Sequence, residues 1–507
     1  MSSELVLELS GISKRFGKLI ANDNISLSLA KGELLALLGE NGAGKTTLMN
    51  ILFGHYTADE GEVRAFGNTL PPGSPRAAIE AGIGMVHQHF TLAGNLSVLD
   101  NIMIGTEPLS LMRSDRAGAR RKLTELSERF GLQVAPDALV GDLSVGEKQR
   151  VEILKALYRD ARVLILDEPT AVLTGIEAEQ LFKTLRDMTE TGLSVIFISH
   201  KLAEVMSASK RVVILRGGKV IAERLTNETD RAELAELMVG RRVTRPVRQA
   251  QAAGVEVLAA RAVDVIEDGR KTLDNIGFNV RAGEILGIIG VSGNGQASLG
   301  RLTCGLVGAS AGTLVRDGIE TRSFSPRALV KAGTGRIPED RNAEGVVGEM
   351  TVWENAVLER VHDSRFSKHA LVDRSAGRAF ADELISRFDI RGADPDTGTR
   401  LLSGGNMQKM ILGRNLATDP GLIIANQPTR GLDEGAIAAV HSELLEARKN
   451  GTAILLISED LDEVLALSDR VQAIFNGRLS EPIAAADADS QSVGLMMAGI
   501  WGDTDAA

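Results

Sequence analysis

Short, wholly apolar runs punctuate this chain, separated by longer stretches in which apolar residues return every three or four positions. LLALL at 34–38 and VLIL at 163–166 are strand-sized and lack polar alternation, the mark of strands buried on both faces. The segment from Glu177 to Thr191 has helical spacing instead. A strand, a Gly-rich turn and a helix follow one another near the start, and strands alternate with helical segments afterwards. That order predicts an α/β core with mainly parallel strands.

The pattern is written twice. Asn24-Ile25-Ser26 through Lys31-Gly32-Glu33-Leu34 to Gly39 recurs as Asn275-Ile276-Gly277 through Ala282-Gly283-Glu284-Ile285 to Gly290, at an offset of 251. Leu143-Ser144-Val145-Gly146 recurs as Leu402-Ser403-Gly404-Gly405, and VLIL at 163–166 as LIIA at 422–425, at an offset of 259. Eight residues were added between these landmarks in the second copy. Two homologous domains are expected, 1–242 and 255–501. Residues 243–254 form the linker, within the basic, polar RRVTRPVRQAQAAG of Arg241 to Gly254.

Composition narrows the class. The 507 residues are too many for one core, and 44% apolar with 24% charged residues is a globular balance. No apolar run approaches the roughly 20 residues that cross a bilayer. Glu4 and Glu8 interrupt any secretion signal, so the chain is expected to stay in the cytosol. The lone Cys304 makes no internal disulfide and no zinc site by itself. A net charge of −10 argues against nucleic acid as partner.

Candidate chemistry sits after the first apolar run. Gly39-Glu40-Asn41-Gly42-Ala43-Gly44-Lys45-Thr46 fits a phosphate-binding loop, with Thr47 beside it. Its glycines let backbone N–H groups converge on phosphate oxygens, and the next helix adds its positive end. Lys45 would reach the β- and γ-phosphates of ATP, and Thr46 a magnesium ion (Mg2+). The run Val163 to Leu166 ends in Asp167, a second magnesium ligand, and Glu168, a general base for the attacking water. His87 and His89 lack a third ligand for a metal of their own.

With these residues the chain resembles the ATP-binding-cassette family over about Leu5 to Gly499. Leu143-Ser144-Val145-Gly146-Glu147-Lys148-Gln149 looks like its signature, Val86-His87-Gln88-His89-Phe90 its glutamine loop, and Ile198-Ser199-His200 its switch histidine. The resemblance implies two P-loop NTPase domains, each with a mainly parallel core sheet, an antiparallel β subdomain and a helical subdomain. It also implies that Gln88 touches the metal, that His200 contacts the γ-phosphate, and that Phe16 stacks on adenine.

The second copy departs from the pattern. Gln296 and Ala297 replace the lysine and hydroxyl, Asn426 and Gln427 the acidic pair, and Glu459 the histidine. No useful hydrolysis is expected there. In this family each nucleotide is sandwiched between one domain's phosphate loop and the other's signature. The resemblance therefore gives the first site Ser403, Gly404, Gly405 and Asp433, and pairs the broken loop with LSVG and with Thr174 in place of an aspartate. All the losses fall on one side.

The family resemblance extends to tandem ATPases of bacterial sugar and nucleoside importers. It implies two transmembrane permease subunits as partners, gripped by the loops after Gln88 and near Pro338-Glu339-Asp340-Arg341, and an extracytoplasmic solute-binding protein. Association would be peripheral, on the cytoplasmic face of the inner membrane. VHQHF at 86–90, LSVGEKQRVEILKALYR at 143–159 and NQPTRGLDEGAI at 426–437 look like the nucleoside branch, although alanine is commoner than Asn426 there. Sugar import of the ribose or galactose type is the runner-up. Soluble tandem cassettes acting on ribosomes are a third class, which usually has two intact sites and a long charged linker; this chain has neither.

Overall fold

The computed structural model describes residues 4–87, 90–106, 114–170, 173, 175–240, 242, 246–369 and 371–501, and the apolar runs become its central strands. Two compact units arise, Met1–Val243 and Thr244–Ala507. In the first, six strands run in the order Lys219–Leu225, Arg211–Arg216, Leu34–Leu38, Ser194–Ser199, Val163–Asp167, Ile83–Val86. Every neighbouring pair is parallel except the one at the Lys219–Leu225 edge.

The pleat sorts these side chains into two cores. Leu35, Leu37, Ile165, Ile196 and Ile198 pack with Leu7, Leu9, Ile25 and Leu29 of a second, antiparallel sheet. Leu34, Ala36, Leu38, Leu164, Leu166 and Phe197 pack on the other side with helical residues, among them Leu181, Phe182, Leu185 and Met188 of the helix Gly175–Glu190. Burial on both faces is why these strands read as continuous apolar runs. Helices Val98–Met103, Arg116–Phe130 and Val145–Tyr158 pack on one another as a helical layer.

The second unit repeats the plan, with Ile285–Ile289 central in a seven-stranded sheet and Arg270–Arg281, Glu256–Glu267, Ala311–Arg316 and Ile319–Thr321 in a four-stranded one. It also shows where the eight extra residues went. Asn101 Oδ1 accepts from Ala93 N–H and Asn355 Oδ1 from Val347 N–H, each at 2.8 Å, so these are counterparts at an offset of 254. Three residues were therefore added between Ile337 and Thr351, around the helical turn Arg341–Gly345, and five after Asn355, where the small ladder Ser367–Lys368 with Leu371–Val372 lies.

Residues 246–254 carry neither helix nor strand, yet they are held to the second unit. Arg248 pairs with Asp469 at 2.9 Å, and Gly254 N–H donates to Ala282 O at 2.8 Å. This stretch is thereby part of that unit's surface.

Phe197 is fully buried against Phe182, with ring centroids 5.1 Å apart. Phe197→Ala is expected to cost about 3–5 kcal/mol, measured on the denaturant transition of the first unit. A loss under about 1 kcal/mol would contradict this core.

Candidate functional site

The loop at 39–46 leaves the end of strand Leu34–Leu38 and enters the helix Lys45–Phe53. Its back is pressed against the protein. A Cβ on Gly39 would lie 2.3 Å from Leu215 O, and one on Gly44 2.2 Å from Ala21 O; Gly44 is also left-handed at φ 97°. Only glycine fits at either position. Lys45 is buried, its Nζ donating to Gly39 O at 2.6 Å and Glu40 O at 2.9 Å, so an ammonium is set inside the loop. Ala43 is buried, whereas Asn41, Gly42 and Thr46 face solvent and Glu40 and Thr47 are half-buried.

Strand Val163–Asp167 delivers the acidic pair to the same loop. The Thr46 hydroxyl hydrogen-bonds Asp167, which is buried. Burial, then the neighbouring Glu168 charge, push the Asp167 carboxyl up to about 6, against the pull of Lys45 and Thr46. Glu168 follows with φ 46°, a strained value for glutamate that turns its side chain out of the strand path. Its N–H donates to Ile198 O at 3.1 Å, and its Oε1 lies 2.9 Å from His200 Nδ1. Burial raises the Glu168 carboxyl, but the His200 hydrogen bond and charge, with Lys45 and Lys201, outweigh it and hold it below its ordinary value. Lys45, Thr46, Asp167, Glu168 and His200 thus converge at the carboxyl ends of three parallel strands, where α/β sheets hold ligands.

The second unit has the same cradle without the charges. Gln296 Nε2 donates to Val291 O at 2.8 Å, and Val291 is the counterpart of Glu40. Asn426 is buried with its Oδ1 unpartnered, and Gln427 repeats the strained turn at φ 50°. Glu459 hydrogen-bonds Ser292 of the loop; burial raises its carboxyl above the ordinary value. Two substitutions escaped the motif-based reading. Glu267 stands where the first unit has Phe16, and Glu339 where it has Gln88, both at the offset of 251. Following that offset along the first strand pair would have revealed the former.

Phe16 is 44% exposed, packs edge-on with Tyr56 at a centroid distance of 5.6 Å and has the Lys14 ammonium over its ring at 5.5 Å. Ser403 caps the helix Gly404–Leu416, accepting from Asn406 N–H and Nδ2, and Gly405 sits one residue in. In the first unit the Ser144 hydroxyl instead donates to Glu147 at 2.7 Å. Asp433 caps the helix Glu434–Lys449 by accepting from Ala436 N–H at 2.8 Å. His87 stacks on His55 with centroids 5.5 Å apart. Gln88, His89 and Thr174 lie outside the described residues.

A glycine-lined loop between a parallel strand and a helix, with a buried lysine and a Thr–Asp pair, defines a P-loop nucleotide-binding protein. Residues 22–171 and 273–430 match the ABC transporter family, and the chain belongs to it, as an ATP-binding ATPase with two cassettes. It is 44% identical to the glucose import ATP-binding protein TsgD13 of Haloferax volcanii, covering 98% of this chain and 96% of that one. It is also 44% identical to the guanosine import ATP-binding protein NupO of Bacillus subtilis, covering 98% of each. A solved archaeal ribosome recycling factor, aABCE1, matches 96% of this chain and 92% of its own with a TM-score of 0.65 at 19% identity, a likeness of fold. The family and these relatives make the chain the ATPase of an ABC importer.

Between the ordinary 3.8 of the unfolded chain and the folded value of about 6, the folded state holds the Asp167 proton more tightly. That contribution to stability is full below the lower value and lost as pH rises through the upper. Without nucleotide, Asp167→Asn should therefore gain on the order of 2–3 kcal/mol over wild type between about pH 4 and pH 7, read by chemical denaturation. Parallel pH profiles would contradict it.

Proposed function

We propose that the first cassette hydrolyses Mg·ATP to drive import of a nucleoside or related purine. The convergence of Lys45, Thr46, Asp167 and the Glu168–His200 pair on one loop supports this most strongly. The residues fit the metal: a hydroxyl and a carboxylate already share a proton bond at the loop, and both are hard oxygen donors. Thr46, Asp167 and Gln88 would hold magnesium, which when bound draws charge from the β- and γ-phosphate oxygens.

Backbone N–H groups of 39–47 and the Lys45 ammonium take the phosphates, and Phe16 takes the adenine face. Glu168, kept ionised, orients and deprotonates the attacking water. His200 holds Glu168 in place and faces the γ-phosphate. In the sandwich arrangement that the family resemblance implies, Ser403, Gly404, Gly405 and Asp433 would complete this site; the Ser403 hydroxyl accepts two N–H bonds from Asn406, which leaves its proton to donate to phosphate. ATP binding then favours one arrangement of the cassettes and hydrolysis releases it.

The motor would act at the cytoplasmic face of the inner membrane on two permease subunits, met by the loops after Gln88 and at 338–341. An extracytoplasmic binding protein would supply the solute. Sugar is the second reading, favoured by the equal identity to a glucose importer's ATPase.

Glu168→Gln should lower turnover about 100- to 1000-fold while ATP still binds. Survival of half the activity would overturn the assignment. In proteoliposomes holding the cognate permease and binding protein, guanosine or adenosine should stimulate the ATPase and glucose or ribose should not; the reverse result would make the cargo a sugar.

A further inference from the structure

A cavity of about 410 Å3 in the second unit lies on its phosphate loop and is lined by Ser292 to Ser298 together with Arg270, Lys271, Glu339 and Glu459. That volume suits a small ligand. Its phosphate-binding features are backbone features: a loop of the same course as 39–46, followed by the start of the helix Gln296–Thr303. These serve the first two phosphates of a nucleotide.

The far end is different in kind. Where the first unit has the Lys45 ammonium and oxygen ligands for a cation, the second has Gln296, Ala297 and Asn426, which bring no positive charge. Carboxylates have been added as well. Glu459 follows the strand Ala453–Ser458 at the position of His200, and it bonds the loop hydroxyl of Ser292, the counterpart of Asn41. Glu339, at the position of Gln88, lines the same cavity and pairs with Arg430.

On the base side, Glu267 replaces the Phe16 ring. It accepts from Ser298 Oγ at 2.5 Å, Arg301 Nε at 2.9 Å and Arg301 Nη2 at 3.0 Å, so it is tied down and offers no stacking face. Affinity there must come from the phosphates, with Arg270 at the rim as added positive charge.

We propose that the second cassette carries a metal-independent nucleoside-diphosphate site, in which the Glu459 carboxylate occupies the seat of a third phosphate and so admits ADP and rejects ATP. This rests on reading the second unit as a nucleotide cradle. Rejection here is a like-charge clash rather than a missing contact, which is how a site excludes a close analogue. The lysine and the metal ligands that would offset a terminal phosphate dianion are gone, and the nearby Arg430 guanidinium is already paired with Glu339.

The test is calorimetric titration of the full chain carrying Lys45→Ala, in EDTA, with ADP and with ATP, after circular dichroism has established folding. ADP should bind at least about tenfold tighter than ATP. Adding Glu459→Gln should tighten ATP by about tenfold and leave ADP within about twofold; Glu339→Gln, a second variant, should move the ratio the same way by less. Equal or tighter ATP binding, or a ratio indifferent to Glu459→Gln, would overturn the proposal. If neither nucleotide binds the Lys45→Ala chain while wild type binds ATP, the cradle reading of the second unit falls, and this proposal with it.

Discussion

A phosphate loop presents its N–H groups to a ligand only when its back is packed without side chains in between. Here that packing is the contact of Gly39 with Leu215 O and of Gly44 with Ala21 O, where no Cβ has room. The contact needs the ends of Leu34–Leu38 and Arg211–Arg216 to be fixed to within a fraction of an ångström, and burial of the sheet on both faces supplies that rigidity. In the second unit a Cβ on Gly290 would lie 2.6 Å from Ile474 O, so the same seat is built there. The seat is a property of the backbone and the sheet. Its chemistry is added by side chains and can be removed without disturbing it.

Several polar clusters that tie the sheets and helices together are present in both copies. Arg211 donates to Glu33 at 2.6 Å, and Arg470 to Glu284 at 2.5 Å. Glu204 accepts from Thr170 and Ser199, and Glu463 from Thr429 and Ser458, all within 2.9 Å. Apart from Glu267 on the base side, the residues that differ cluster at the other end of the cradle, and most are exchanges of charge at nearly constant shape. Gln296 is the clearest case, since its amide donates to the loop carbonyl at the position that Lys45 serves with an ammonium. Asn294 Nδ2 donates to the same carbonyl at 2.9 Å, so the loop closes on its own polar groups without a cation. Stability and catalysis are thus assigned to different side chains, which lets one copy lose the second and retain the first.

Much of this was legible in the amino-acid order because each signal was local. Doubly buried strands write themselves as apolar runs, and the loop, the acidic pair and Ser403 are short motifs on element ends. What escaped required register rather than motif. Glu267 is recognised as the counterpart of Phe16 only when the strand Glu256–Glu267 is laid on Leu5–Phe16. The difference between Glu147 and Asn406 matters only once each is seen capping its own helix beside a signature serine. Residues 246–254 read as a plain linker because their anchor, Asp469, lies more than 200 residues away along the chain and is shared with Arg448. Polarity and an absence of periodicity describe such a segment correctly and still do not say what holds it.

The same logic explains why the two signatures differ at their third residue, Val145 against Gly404. Arg341, from the 338–341 stretch lengthened in the second copy, donates to Arg430 O at 2.7 Å, and its guanidinium lies 2.8 Å from where a Gly404 Cβ would be. Arg430 in turn pairs with Glu339. A side chain at 404 would therefore displace an arginine that is already committed, whereas Val145 is 39% exposed. A glycine at 404 leaves that arginine undisturbed. One guanidinium consequently ties the loop proposed to meet a permease both to the residue after Ser403 and to the turn before Asp433. A contiguous, half-buried contact of this sort is the physical requirement for a partner's movement at that loop to be felt at the signature.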